Sequence, residues 1–179
     1  MVEAYLRVLE LGYYEAKFAF EGLADENVWR RPAQQGLLSV GELAGHVAYS
    51  EAVKLAGGGG GGAPLQGEEG PEPDLATCRV SSPLIDQRFA YYPTTFAASP
   101  SEQHRAMTAQ QVWGEMARVH EESVAHFKAL NPDLQSTVPG WPPGYTYGEF
   151  LRYAAFRVAY HAGQMYSARH LLGEGTPDN

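Results

Sequence analysis

One cysteine, Cys78, in a chain of 179 residues rules out an internal disulfide framework and fits a reducing compartment. Basic residues are also few: 13 Lys and Arg stand against 21 Asp and Glu, a net charge of −8, so the basic stripe that a nucleic-acid partner requires is missing. No window approaches the ~20 apolar residues of a membrane span, and the start MVEAYLRVLE lacks the basic-then-apolar order of a signal peptide. These absences predict a cytoplasmic chain with no membrane and no nucleic-acid partner. Hydrolase signatures are missing as well. There is no Gly-x-Ser-x-Gly elbow, no His-x-x-x-His and no His-Glu-x-x-His, and Cys78 has no histidine near it in sequence. The glycine run 57–62 lacks the Gly-Lys-Ser/Thr ending of a phosphate loop and follows a helical segment, so it reads as a flexible hinge.

What is present is helical periodicity. Val2, Leu6, Leu9, Tyr13, Phe20 and Leu23 predict a first helix over roughly 2–24, followed by a proline stop at Pro32 with Trp29 folding back on the core. Ser39 and Glu42 form a capping-box pattern that starts a second helix over about 40–56, with Val40, Leu43, His46 and Val47 on one side and Ser50 one turn beyond His46. Residues 57–107 read as an irregular excursion, mobile over 57–76 and packed down through Leu84, Ile85, Phe89, Tyr91, Tyr92 and Phe96. Apolar aromatic surface in 84–96 suggests a homodimer contact. A third helix opens at Thr108 with Gln111 and closes at Asn131-Pro132. The stiff connector Trp141-Pro142-Pro143-Gly144 follows, and a fourth helix opens at Thr146 with Glu149 and ends at Leu172-Gly173. Four amphipathic helices without a strand run predict an all-α four-helix bundle in a single domain, 1–179.

Six histidines carry most of the functional question. His46 and His161 each lie on the apolar stripe of their own helix, the latter among Phe150, Ala154, Val158, Met165 and Leu172, and a bundle can bring two such stripes together. Either they bind a metal or they are satisfied core histidines, because metal ligands normally come in threes or fours. His120 and His126 are six residues apart, so they cannot share a helix face; beside Glu121 and Glu122 they read as surface or boundary residues. His104 and His170 read as solvated.

The run Leu23-Ala24-Asp25-Glu26-Asn27-Val28-Trp29-Arg30-Arg31-Pro32, then Ser39-Val40-Gly41-Glu42-Leu43-Ala44-Gly45-His46-Val47-Ala48 and Glu51, resembles the first half of a DinB/YfiT-like protein. His161-Ala162-Gly163-Gln164, with Arg169, Leu171-Leu172 and Gly173, is similar to the ending of that family's last helix. The resemblance covers the four helices but not 57–107. It implies an up-down-up-down bundle holding a divalent metal, Ni or Zn, between one histidine of the second helix and two side chains of the last, here His46, His161 and position 157. It also implies chemistry on a small-molecule substrate, such as transfer of a low-molecular-weight thiol bound as thiolate.

The pattern breaks at position 157, where the family usually has His or Glu and this chain has Arg157. A guanidinium has five donors and no lone pair. Its charge opposes a cation by ~3 kcal/mol per unit charge at ~5 Å with an effective dielectric of about 20. Metal affinity is therefore expected to be weakened, and the altered set suggests an alternative, a metal-free pocket in which Arg157 and His161 grip an anion. Gln164 is expected to support the site as a donor, with Tyr49 and Tyr160 near its mouth. A bundle serving only as a structural dimer is the third reading.

Overall fold

Ser39 starts the helix on which the others converge. Its Oγ accepts the Glu42 N–H at 3.2 Å, and the Glu42 carboxylate accepts the Ser39 N–H at 2.9 Å, so the capping box is complete. The helix it opens, α3 (Val40–Leu55), is buried at every one of its positions and has no wet face. The computed structural model describes residues 2–33, 36–57, 73–90, 99–139, 141 and 144–177. Three further long helices surround α3: α1 (Val2–Phe18), α5 (Ala109–Leu130) and α6 (Tyr147–Leu171). α1 packs along α6, and α3 packs on both α5 and α6, whereas α1 and α5 scarcely touch. Two one-turn helices, α2 (Asp25–Val28) and α4 (Glu102–Arg105), fill the ends. Among the described residues there is no strand, only the isolated bridge between Thr137 and Thr146. The fold is all-α, as the periodicity predicts.

Close approach to α3 depends on two glycines. A Cβ on Gly41 would lie 2.7 Å from the Trp29 ring, and one on Gly45 would lie 2.6 Å from the Phe89 ring. Both aromatics therefore lie against the α3 backbone, and Trp29 does fold back, anchored by its Nε1–H to the Met107 carbonyl at 3.1 Å.

The boundaries differ from expectation where tertiary contacts take over. The first helix stops at Phe18 rather than running to 24: Gly22 adopts φ +71°, and the Arg169 guanidinium takes the Phe18 and Glu21 carbonyls at 2.9 and 2.7 Å. The region expected to be irregular holds α4 and two 3₁₀ turns, Leu75–Thr77 and Gln87–Phe89, each begun by a side chain that accepts a backbone N–H. At the start of α6 only half of the capping box forms. Thr146 Oγ1 accepts the Glu149 N–H at 3.3 Å, while the Glu149 carboxylate pairs with Arg152. Within 84–96, Leu84 and Phe89 are buried against the core, which removes two of the side chains expected to form an exposed dimer patch. Glycines 58–62, most of the 57–76 hinge, and Tyr91, Tyr92 and Phe96 lie outside the described residues.

Arg169 is itself 3 % exposed and joins the end of α1 to α6 by two charge-assisted bonds. Replacing it by methionine is expected to cost about 3 kcal/mol, since each bond to a charged donor contributes ~1.5–3 and both carbonyls would lose their donor. Urea denaturation monitored by circular dichroism measures this loss.

Candidate functional site

Phe89, held on Gly45, turns its carbonyl toward α3 and accepts the Nδ1–H of His46 at 2.7 Å. A carbonyl has no proton to give, so this bond places the His46 proton on Nδ1 and makes Nε2 the acceptor. Arg157 of α6 occupies that acceptor: its guanidinium donates to His46 Nε2. One turn further along α6, His161 Nδ1 donates to Gln164 Oε1 at 2.6 Å. The two imidazoles meet edge to face, with ring centroids 4.9 Å apart, and are 1 % and 2 % exposed. The juxtaposition of His46, Arg157 and His161 anticipated from the sequence is therefore present.

The electrostatics are strongly cationic. Burial first, then the Arg157 charge and the neighbouring His161, hold His46 well below the usual imidazole range. Burial, partly offset by the Gln164 hydrogen bond and reinforced by the Arg157 charge, lowers His161 to about 4. Lys54, which sequence reasoning did not single out, is 8 % exposed and donates to Ser50 Oγ at 3.0 Å; burial and then the Arg157 charge bring it down to about 7. Burial lowers Arg157 too. Both cations face the Tyr153 ring, Lys54 at 5.8 Å and Arg157 at 5.5 Å from its centroid. Among the described residues no carboxylate forms an ion pair with either, and the buried Nε of Arg157 has no acceptor. A cavity of about 10 Å³, the size of one water molecule, lies against Arg157, Ser50 and Glu51.

The remaining expected residues are placed as follows. Tyr49 is 2 % exposed, and its hydroxyl contacts Gln87 Oε1 at 3.3 Å, so it is a core residue rather than one at a mouth. Burial of α3 on all sides is the reason. Tyr160 is 50 % exposed and sets its ring against His161 with centroids 5.1 Å apart. Gln164 Oε1 meets His161 Nδ1.

His104, read as solvated, and His120, read as a surface or boundary residue, are both buried. His104 caps its own short helix with Nδ1 and directs Nε2 to the Pro83 carbonyl at 2.7 Å. His120 directs Nδ1 to Glu51 Oε1 at 2.7 Å, while Tyr13 donates to Glu51 Oε2 at 2.9 Å. Their partners lie 21 and 69 residues away in sequence, beyond the reach of a helix-face argument. Lys54 did have a signal. Glu42, His46, Ser50 and Lys54 follow one another at four-residue steps, a polar ridge too narrow to be the wet side of a helix.

A divalent ion does not fit this donor set. His46 spends Nδ1 on Phe89 and Nε2 on Arg157, and the third position is itself a fixed cation. Among the described residues no group of three or more His, Cys, Asp or Glu could hold a metal.

In comparisons with known proteins, the model of the DinB superfamily matches residues 9–165. No curated protein and no solved structure matches the chain.

A buried imidazole with a depressed pKa makes stability fall as pH drops. His161 protonates near 6.5 when unfolded but near 4 when folded, so the unfolded state binds the extra proton between these values and gains on the native state. His46 acts in the same direction. Unfolding free energy should therefore decline from pH 6.5 toward pH 4. In His161→Gln the slope should lessen by about 1.4 kcal/mol per pH unit, one proton's worth, as read from urea titrations at half-unit intervals.

Proposed function

The chain belongs to the DinB superfamily, and from that premise we propose that its pocket between α3 and α6 is a metal-free site for a small organic anion. The observation that carries this reading is the half-buried Arg157 guanidinium, without a carboxylate partner among the described residues and with a buried Nε–H that has no acceptor. A buried charge left in this state is costly, and a carboxylate, phosphate or thiolate would supply both the missing acceptor and the opposite charge. Lys54 adds a second positive charge at and below neutral pH, and His46, fixed by Phe89, holds the guanidinium in place.

Each group has a distinct part. Arg157 presents the planar fork that reads two oxygens of a carboxylate. His161, neutral at pH 7 with its Nδ1 proton engaged by Gln164, borders the pocket without adding charge. Glu51 lines the same small cavity, and its two oxygens accept from Tyr13 and His120, which spread its charge away from the ligand. The cavity is too small for more than a water-sized group as it stands, so a ligand enters by displacing Arg157 from His46. The thiol chemistry of the family fits the same site in one form: a thiolate held by a guanidinium in place of a metal.

Acetate tests the reading, since it stays ionised across the range of interest. It should raise the melting temperature in a saturable manner, by mass action on the native state. The effect should weaken as pH rises through about 7, where Lys54 loses its proton, and should vanish in Arg157→Leu. A flat response to acetate, phosphate and cysteine alike would overturn it.

The metal question has its own measurement. Arg157→His removes the opposing charge and places a third imidazole one turn before His161. Elemental analysis should find stoichiometric Ni or Zn in that variant and substoichiometric metal in the unmodified chain.

A further inference from the structure

Away from this pocket, the weak contact between α1 and α5 leaves a groove of about 520 Å³ on the other side of α3, the size of a small-molecule site. Its walls are aromatic, formed by Tyr13, Tyr14 and Trp113, with His120 among the lining residues. The charged side chains around it, Glu10, Glu121, Lys17 and Lys128, balance to zero. Behind the wall stands Glu51, 3 % exposed, with one oxygen on His120 Nδ1 and the other on the Tyr13 hydroxyl. Burial and the Glu51 charge keep the Tyr13 phenol protonated, so it remains a donor to that carboxylate. The Tyr13 and His120 rings stack with centroids 3.8 Å apart, which fixes the imidazole plane.

The arrangement fixes a tautomer. In the neutral imidazole a buried carboxylate on Nδ1 holds the proton there and leaves Nε2 as a lone-pair acceptor. That atom has no protein partner among the described residues, and it belongs to a side chain that lines the groove. We propose that the α1–α5 groove is a second ligand site, specific for a neutral aromatic molecule whose O–H or N–H donates to His120 Nε2, with Glu51 as the positioning residue behind it. Flat walls of tyrosine and tryptophan select an aromatic ring, the balanced rim disfavours a charged one, and the single oriented acceptor selects a hydrogen-bond donor. The groove has no lining residue in common with the anion pocket, and Glu51, which lines that pocket, stands behind the groove wall.

Phenol and toluene test it, because they have nearly the same shape and differ in the donor. In the full chain, phenol should shift the indole N–H signal of Trp113, identified by its loss in Trp113→Phe, in a saturable way, and should bind about fivefold more tightly than toluene, the contribution of one net hydrogen bond. Glu51→Gln replaces an acceptor-only carboxylate by an amide that can also donate, which releases the hold on the Nδ1 proton, so the phenol preference should fall. Histidine-ring ¹⁵N spectra of the unmodified chain provide a reading that needs no variant: phenol should move the Nε2 resonance of His120. Saturating acetate should leave phenol affinity unchanged, which separates this site from the anion pocket. Equal affinity for phenol and toluene, no saturable change at Trp113, or an unmoved His120 Nε2 would overturn the assignment.

Discussion

A helix with no solvent face is the constraint from which the rest of this molecule follows. α3 carries Glu42, His46, Ser50, Glu51 and Lys54, and all of them are buried. A polar group removed from water without a partner costs several kcal/mol, and an ion costs far more, so each must be met from a neighbouring element. Glu42 is met by Ser39 and a two-pronged bond from Arg31. His46 is met by Phe89 and Arg157, Glu51 by Tyr13 and His120, and Lys54 by Ser50. The two candidate sites are thus two instances of one necessity: partners brought in to satisfy α3 also leave a reactive atom at a pocket wall.

The two instances differ in how completely the charge is balanced. On the α5 side, Glu51 has a donor for each oxygen, and the cluster is closed except at His120 Nε2. On the α6 side, two cations and two neutral imidazoles gather without a carboxylate paired to either cation among the described residues. Depressed proton affinities at His46, His161 and Lys54 come first from burial and then from the Arg157 charge.

The sequence was most legible where chemistry is local. Ser39 with Glu42 and Thr108 with Gln111 each announced a helix start that the structure reproduces, and Asn131 ends α5 in the left-handed region before Pro132. His46, Arg157 and His161 were legible because a four-residue step fixes the side of a helix, whatever the helix packs against. What escaped was set by partners distant in the chain. The burial of His120 depends on Glu51, that of His104 on Pro83, and the early stop of α1 on Arg169. Periodicity also misjudged α3, since an apolar stripe on one side says nothing about whether the opposite side meets water or another helix.

Enclosure of α3 also bears on how this protein can diverge. Any residue on that helix is committed to a counterpart elsewhere, so a substitution there demands a second, simultaneous change to remain viable. Positions on α6 that look onto it supply such counterparts, and Arg157, which answers His46, is an example.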